Sequence, residues 1–327
     1  MNDPARAAAS SSPTLIADIG GTNARFALAQ NGQVLDVVVL AGRDYDGLAA
    51  AATAFLETIP EPKRPRQGIF AIAAPINGDQ VQLTNLPWAF STEQLRRDLK
   101  FNALDIVNDF TAIGWAVPHL KADETLQVGG GTPCEDAPIA LLGPGSGLGV
   151  AALIPVSGGW TVLPGEGGHV TMAATTSGEE RVLDALRQTF DHVSAERVLS
   201  GPGLVNIYTT LVQLDGQTPE PLNPEQISAS AQVDPGSHAG AALSMFCDFL
   251  GTAASNMALV YNARGGVYLG GGIVGKLGSA FTTSGFRQRF EAKGRFSAHL
   301  SQIPTFIINH PFPALAGLAK PPHRSRI

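Results

Sequence analysis

The stretch "IADIGGTNARFALAQ", residues 16–30, joins two apolar strand-like runs through a short polar bend. Apolar runs of this length on both sides of a glycine turn predict a β-hairpin. Glycine residues let the backbone turn tightly and let its N–H groups approach a ligand closely, which makes a concave anion site. The bend therefore predicts a phosphate site formed by Gly20, Gly21, Thr22 and Asn23.

Asp18 lies just before this bend and, being an anion, is a poor direct ligand for phosphate. A carboxylate suits Mg²⁺ or its bound waters, which in turn bridge to phosphate oxygens. We therefore predict that Asp18 holds a magnesium ion through water. The alternative is an ordinary hairpin turn with a solvated aspartate, and the hairpin taken alone favours that alternative.

A second glycine bend, "GPGSGLG" at residues 143–149, favours the phosphate interpretation. It lies between two apolar runs, and Ser146 supplies a hydroxyl as Thr22 does in the first bend. Gly145 and Gly147 flank that serine. Two such bends, one in each half of the chain, predict a polyphosphate that is held from two sides.

The order of strands and helices around the two bends is also repeated. Three strands, a helix, a strand, a helix and a strand occur twice, with the two bends about 125 residues apart. The pattern restarts near residue 120 and predicts an α/β fold of two domains, each a mixed sheet with flanking helices. Within the second half, Ser177 and Glu180 have capping-box spacing, and residues 276–294 are predicted to form one helix.

Composition narrows the function classes. The 327 residues carry a net charge of −6, which argues against a protein that binds a nucleic-acid backbone. The two cysteines, Cys134 and Cys247, are far apart and belong to no metal-binding motif, which fits a reducing compartment. The N-terminus lacks the apolar core of a signal peptide, and no apolar run has membrane-spanning length. We expect a cytoplasmic protein without nucleic-acid or membrane partners.

The motif "IVNDFTA" places Asn108 and Asp109 at the end of a predicted strand, before a helix. Open α/β sheets bind their ligands at this position. Asp109 is therefore a candidate general base that accepts a hydroxyl proton while the oxygen attacks phosphorus, and Asn108 would hold a neighbouring hydroxyl. The alternative is that the aspartate only caps the following helix.

The motif "LPGEGGHV" places Glu166 and His169 on either side of two glycines, in a loop after a strand. A carboxylate acceptor beside an imidazole suits adjacent sugar hydroxyls. A metal site is the alternative, but no third ligand has a suitable spacing. The residues around Glu196, in "HVSAERVLSGPG", give that residue no role beyond an exposed helix position.

The segment "GGGIVGKL", residues 270–277, looks like a phosphate-binding P-loop at first sight. Leu277 stands where such a loop needs Ser or Thr to bind magnesium, so we reject that interpretation. Gly271 and Gly272 follow a strand and suit close approach of the backbone to a flat ligand such as adenine. Tight packing of helix against strand explains the same glycines equally well.

Taken in order, six motifs resemble those of the bacterial glucokinases of the proteobacterial type, which belong to the actin-like ATPase superfamily. The motifs are "DIGGTNARFAL", "NDFTAIG", "GPGSGLGVA", "LPGEGGH", "HVSAERVLSGPGLVNIY" and "YLGGGI". The resemblance extends from about residue 14 to about residue 318. Each glycine motif is weak alone, and the ordered set is specific.

The resemblance implies two ribonuclease-H-like domains around a central cleft and transfer of the γ-phosphoryl of ATP to the 6-hydroxyl of glucose. The chain pattern and the resemblance together predict a small domain of residues 14–119 with 310–327 and a large domain of residues 120–309. Residues 1–13 fall outside the family pattern, and as a small, polar chain end they are expected to be disordered. The resemblance implies a homodimer as well. Alternatives are a kinase for another hexose or amino sugar, and a catalytically inactive sugar-binding protein of the same fold.

The resemblance also assigns site residues by position. Asp109 matches the catalytic base, and Asp18, Gly20, Gly21 and Thr22 match the first phosphate segment. The glucose-contacting residues are Asn108, Asp109, Glu166, His169 and Glu196. Gly145, Ser146 and Gly147 match the second phosphate segment, and Gly271 and Gly272 match the adenosine segment. Together with Asn23, which the bend itself supplies, these are the predicted ATP-binding residues.

Overall fold

The computed structural model describes residues 12–74, 76, 78–83 and 86–322. The chain divides into two units, of which the first ends at Leu120 and resumes at His310, and the second runs from Lys121 to Asn309. Most of the N-terminal extension expected at residues 1–13, and the end of the C-terminal tail, lie outside the described residues.

The first unit contains a five-stranded sheet with the order β3-β2-β1-β4-β7. Strand β2 runs antiparallel to both β1 and β3, whereas β4 is parallel to β1 and β7 is parallel to β4. The elements are β1 (Thr14–Ile19), β2 (Asn23–Gln30), β3 (Gln33–Ala41), α1 (Leu48–Glu57), β4 (Gln67–Ile72), β5 (Gln80–Gln82), β6 (Ala89–Ser91), α2 (Thr92–Asp98), β7 (Ala103–Asn108) and α3 (Asp109–Ala116).

Apolar alternation decides how these elements pack. Helix α1 buries its apolar face on the sheet, where Phe55 stacks on Phe26 of β2 with ring centroids 5.8 Å apart. The C-terminal helix, Pro313–Leu318, lies against α3 so closely that a Cβ on Gly317 would collide with the carbonyl oxygen of Ala112. This close contact, possible only for glycine, fastens the last described segment to the first unit.

The second unit contains a six-stranded sheet with the order β11-β10-β9-β12-β13-β8. Its strands and first helices are β8 (Thr125–Val128), β9 (Ile139–Pro144), β10 (Leu148–Val156), β11 (Gly159–Gly165), α4 (Ser177–Arg187), α5 (Gly201–Leu214), α6 (Pro224–Val233) and α7 (His238–Tyr261). The remaining elements are β12 (Gly266–Leu269), α8 (Gly272–Leu277), α9 (Ser279–Thr282), α10 (Phe286–Glu291), α11 (Ser297–Ser301) and β13 (Thr305–Ile308).

The two sheets share one topology. In the first sheet, β1, β2 and β3 form an antiparallel meander, and β4 and β7 run parallel to β1. In the second sheet, β9, β10 and β11 form the same meander, and β12 and β13 run parallel to β9. The second sheet differs only in the added edge strand β8, which is antiparallel to β13. The α/β fold of mixed sheets with flanking helices is therefore confirmed, and so is its internal repetition.

Helix α7 forms the centre of the second unit. Within the described part of the chain it is the one helix that could cross a membrane by length and composition, with a mean hydropathy of 1.3. In the structure 61% of its most apolar window is buried inside the unit, where it packs against α5, α6 and α10. Its apolar surface is thus used in the core of a folded domain.

Two local predictions for the second unit were wrong. The capping box at the start of α4 uses Thr176 and Glu179, one residue before the predicted pair Ser177 and Glu180. The single helix predicted for residues 276–294 is interrupted, because Gly278 takes a φ of +53° and ends α8. A left-handed residue breaks the helical hydrogen-bond ladder, and short helices follow instead.

Candidate active site

In the first unit, the hairpin places Asp18 opposite Arg25 in the strand register. Arg25 Nη1 donates a hydrogen bond to Asp18 Oδ2 over 3.0 Å, and both side chains are largely buried, with 32% and 18% of their surface exposed. Burial raises the pKa of Asp18, and the guanidinium of Arg25 partly offsets that rise. Arg25 thus compensates the charge of a carboxylate that burial would otherwise disfavour.

Asp109 lies at the same edge of the sheet as Asp18. Ile19 pairs with Ile72, and Ile72 pairs with Asn108, so the carboxyl ends of β1, β4 and β7 are aligned. Asp109 follows directly as the first residue of α3. Side chains that leave aligned ends of parallel strands project over one edge of the sheet, where open α/β folds bind ligands.

Asn108, and not the neighbouring Asp109, is the N-cap of α3. Its Oδ1 accepts hydrogen bonds from Phe110 N at 2.9 Å and from Thr111 N at 3.4 Å. Asp109 Oδ1 accepts from Phe110 N at 2.9 Å, which fixes its carboxylate at the helix N-terminus. The capping alternative is thus realised by the asparagine, and the aspartate is left available for chemistry.

The environment of Asp109 shifts its acidity. Burial, and then the negative charge of Asp18, raise the pKa of Asp109 to about 6. Hydrogen bonds from the backbone of Phe110 and from Asn108 act in the opposite direction. A carboxylate with this pKa is ionised at neutral pH and is a stronger base than an ordinary aspartate.

The hairpin bend between β1 and β2 is held by backbone hydrogen bonds. Gly20 N donates to Asn23 O over 3.0 Å, and Gly42 N donates to Thr22 O over 2.8 Å. The φ of Gly20 lies outside the left-handed region, as do those of Gly145 and Gly147 in the second bend. Positive φ angles therefore do not explain why these positions hold glycine.

In the second unit, the GEGGH loop forms a short turn that starts at Glu166 and ends at His169. Glu166 Oε2 and His169 Nε2 are 4.0 Å apart, and both side chains are mostly exposed. A Cβ on Gly167 would lie 2.8 Å from Val150, and one on Gly168 would collide with Leu148 O. The two glycines let the loop lie against β10, which fixes where the two polar side chains project.

Glu196 reaches the same place from a distant part of the sequence. Its Oε2 accepts a hydrogen bond from Leu148 N over 2.8 Å, although the two residues are 48 positions apart. A β-bridge between Thr171 and Ser194 holds the GEGGH segment beside the Glu196 turn. A Cβ on Gly147 would collide with the Glu196 carboxylate, so glycine at this position lets that carboxylate stay where Leu148 N holds it.

The second glycine bend adjoins the Gly271 segment. Strands β9 and β12 are parallel neighbours, and Leu142 pairs with Leu269 shortly before both strands end. Gly271 has a φ of +83°, and a Cβ on it would lie 2.5 Å from Pro144 O. The second unit therefore brings its predicted sugar-binding and nucleotide-binding residues to one edge of the sheet.

The donor groups of the first unit fit a magnesium ion. The described residues contain no cluster of three or more His, Cys, Asp or Glu side chains around a metal site. Mg²⁺ needs no such cluster, because it keeps several waters and is held by one or two carboxylates together with substrate phosphates. Asp18 supplies such a carboxylate and has the negative charge of Asp109 nearby, with Arg25 as its paired cation.

Comparison with known proteins identifies the family of the chain. The model of the family described as glucokinase matches residues 15–323. The chain belongs to the glucokinase family. A glucokinase of Paramagnetospirillum magneticum is 49% identical over 312 residues, which cover 93% of this chain and 96% of that protein. The predicted family membership is thereby confirmed.

Solved structures agree with this assignment. A glucokinase from an Antarctic psychrotroph superposes with a TM-score of 0.83 and 36% identity, covering 94% of this chain and 98% of that one. A ROK-family glucokinase from Streptomyces griseus, solved with glucose and AMPPNP, superposes with a TM-score of 0.62 at 17% identity, covering 94% of this chain and 98% of that one. The second likeness concerns the fold alone, and both support the actin-like ATPase fold of the glucokinase family.

Arg25 is a residue of the site that the sequence did not single out. The signal was present, because Asp18 and Arg25 are equally spaced from the centre of the hairpin and a regular register places them opposite each other.

Proposed function

We propose that the chain is a glucokinase that transfers the γ-phosphoryl of ATP to the 6-hydroxyl of glucose, with Asp109 as the general base. The observation that carries the proposal is the placement of Asp109 at the carboxyl edge of the sheet, held by Phe110 N, in a glucokinase-family chain. Burial at that place raises the pKa of Asp109 to about 6, which suits a general base. The glucokinases with which the chain aligns over nearly their whole length support glucose as the acceptor.

The proposed step moves one proton and one phosphoryl group. Asp109 accepts the proton of the 6-hydroxyl as that oxygen bonds to the γ-phosphorus, and the bond from the γ-phosphorus to the bridging oxygen of ADP breaks. The hydrogen bond from Phe110 N fixes the carboxylate, so little reorganisation accompanies the proton transfer. The raised pKa of Asp109 lies closer to the pKa of a hydroxyl, which favours proton transfer. The Asp109 carboxylate is nevertheless still ionised at neutral pH.

The remaining sugar contacts in the proposal are Asn108, Glu166, His169 and Glu196. Their amide, carboxylate and imidazole groups suit vicinal hydroxyls, which donate and accept at once. Glu196 already accepts from Leu148 N with one oxygen, so its position is fixed before a sugar binds. An analogue with one hydroxyl inverted would leave a polar partner unpaired, at a cost of about 1–3 kcal/mol.

Asp18 is the side chain that would hold Mg²⁺, through water, while Arg25 balances its charge. When bound, Mg²⁺ neutralises part of the negative charge of the triphosphate. We assign the first bend, Gly20 to Asn23, to phosphate, together with Gly145, Ser146 and Gly147 of the second bend. Gly271 and Gly272 are assigned to the adenosine, and we expect the protein to be a cytoplasmic homodimer.

The activity should depend on pH through Asp109. Since only the ionised carboxylate accepts a proton, kcat/KM for glucose is expected to be constant above about pH 6 and to fall tenfold per pH unit below it. The profile is measured from pH 4.5 to 8.5 with ATP saturating. His169→Gln serves as the control. If the fall in kcat/KM at low pH is caused by protonation of Asp109, the same fall persists in that variant. A fall that disappears with His169 would contradict the assignment.

Glu166→Gln is expected to raise the KM for glucose by about 10- to 150-fold, since a hydrogen bond to a charged acceptor contributes about 1.5–3 kcal/mol. Because 72% of the Glu166 side chain is exposed, the substitution should leave the fold intact. The KM values for glucose and ATP are measured together. The matched control, Glu180→Gln, changes an exposed carboxylate on α4. A change in the KM for ATP alone would place Glu166 outside the sugar site.

A panel of sugars tests the substrate. With ATP as donor, glucose is expected to give a higher kcat/KM than mannose, galactose or glucosamine, since each of these changes one polar contact. A higher value for another hexose or for the amino sugar would retain the mechanism and replace the substrate. Binding of sugar without transfer to any of them would instead support a sugar-binding protein that has lost catalysis.

A further inference from the structure

The rejected P-loop motif contains a charged residue that the mechanism does not use. Lys276 lies in the last turn of α8, and its Nζ is 3.5 Å from Oε1 of Glu225 in the first turn of α6. The two side chains are 73% and 69% exposed. An ion pair this exposed contributes little to folding stability, so its groups can exchange partners at low cost.

The ion pair lies beside the second glycine bend. Gly201 N donates to Gly145 O over 2.8 Å, which places the start of α5 on the bend. A Cβ on Gly201 would lie 3.3 Å from Pro224, the residue before Glu225. Gly271, the residue just before α8, packs against Pro144 at the end of β9, which places the start of α8 beside the bend as well. Helices α6 and α8 therefore approach the bend from two sides and are joined by the pair.

Open space borders the same elements. Apart from chain neighbours and the backbone of the helix itself, no atom of the residues that the structure describes lies within 4 Å of a Cβ built on Gly145, Gly272 or Gly275. Gly272 and Gly275 are three residues apart on α8 and so share a face of the helix. Bare backbone next to open space accommodates a flat or bulky group. Lys276 follows Gly275 directly on α8, and its ion pair with Glu225 is therefore next to that open helix face.

We propose that Glu225 and Lys276 form a nucleoside clamp, in which Glu225 accepts hydrogen bonds from the ribose hydroxyls and Lys276 holds the Glu225 carboxylate. The proposal rests on the proposed function in taking ATP as the donor. An ionised carboxylate accepts from two hydroxyls at once, a role that acidic residues also have toward ribose in dinucleotide-binding folds. Lys276 offsets a negative charge that would otherwise repel the triphosphate. The clamp favours nucleoside triphosphates over polyphosphate as donor.

Calorimetric titration of the full-length protein with ADP and with 2′,3′-dideoxy-ADP, both with Mg²⁺, tests the clamp. We expect the wild type to bind ADP about tenfold more tightly than the dideoxy nucleotide, since charged hydrogen bonds are lost with the hydroxyls. Glu225→Ala should weaken ADP binding to the level of dideoxy-ADP, and Lys276→Met should weaken both nucleotides. Glu180→Ala, which removes an exposed paired carboxylate on α4, should keep the wild-type difference.

Three results would overturn the clamp: equal wild-type affinity for the two nucleotides, a preference that persists in Glu225→Ala, and no binding of ADP. The titration contains no sugar, so its outcome is separate from that of the proposed function. A protein that shows the expected nucleotide pattern but phosphorylates no glucose retains the clamp and loses the proposed substrate.

Discussion

Asp109→Asn is expected to lower kcat for glucose phosphorylation by about 10²–10⁴-fold, the usual contribution of a positioned general base. The amide has nearly the shape of the carboxylate and still forms hydrogen bonds, but it cannot take up the proton. The KM for glucose should therefore change little, as expected when a group acts mainly in the transition state. Steady-state rates over a range of glucose concentrations, with ATP saturating, give both constants.

Asp98→Asn is the matched control for this substitution. Asp98 is an exposed aspartate at the end of α2 in the same unit, and it accepts a hydrogen bond from Gln94. Its amide variant should keep the wild-type kcat. An Asp109→Asn variant with an unchanged kcat would remove Asp109 from the mechanism, and one with a raised KM alone would make it a sugar ligand only.

Glu179→Ala is expected to destabilise the second unit by about 3 kcal/mol, the lower end of the usual cost of breaking a buried ion pair, because Arg289 keeps Asp248 as a second partner at 3.6 Å. Glu179 is 2% exposed and pairs with Arg289, which is itself 14% exposed. Its Oε2 also accepts hydrogen bonds from Thr175 N at 2.6 Å and from Thr176 N at 3.3 Å. The substitution thus removes both the anion and the acceptor of the helix cap.

Urea unfolding followed by circular dichroism measures this loss, with Glu180→Ala as the control. Glu180 is the next residue on the same helix, but its side chain is 57% exposed and pairs with Arg187 on the surface. Exposed pairs contribute about 0–1 kcal/mol, so the control should unfold near the wild-type urea concentration. Similar unfolding midpoints for the two variants would show that the buried pair does not hold α4 to α10.

The fold was predictable where its signals are local. The hairpin at residues 16–30 and the second bend at 143–149 are each specified by neighbouring apolar runs and glycines, so both appear where expected. Local signals failed at α4, where two polar residues in a row, Thr176 and Ser177, could both cap the helix. The spacing of residues does not determine which of the two is the N-cap. The burial of Glu179, the capping-box partner of Thr176, selects Thr176.

The candidate site was predictable only in part, because several of its contacts join distant segments. Glu196 accepts from Leu148 N across 48 positions, and no local pattern gives that residue a role. The pairing of Asp18 with Arg25 depends on strand register, and that of Glu225 with Lys276 depends on how α6 packs beside α8. Such contacts are set by tertiary packing, which composition and spacing do not specify.

The formation of glucose 6-phosphate from glucose and Mg·ATP by the purified protein tests the central claim most directly. Glucose 6-phosphate dehydrogenase reports that product through the appearance of NADPH, and hexokinase-free reagents with an Asp109→Asn sample exclude contaminating activity. We predict rapid formation of glucose 6-phosphate by the wild type and almost none by the variant. A folded wild-type protein that forms no glucose 6-phosphate under these conditions would contradict the proposed function.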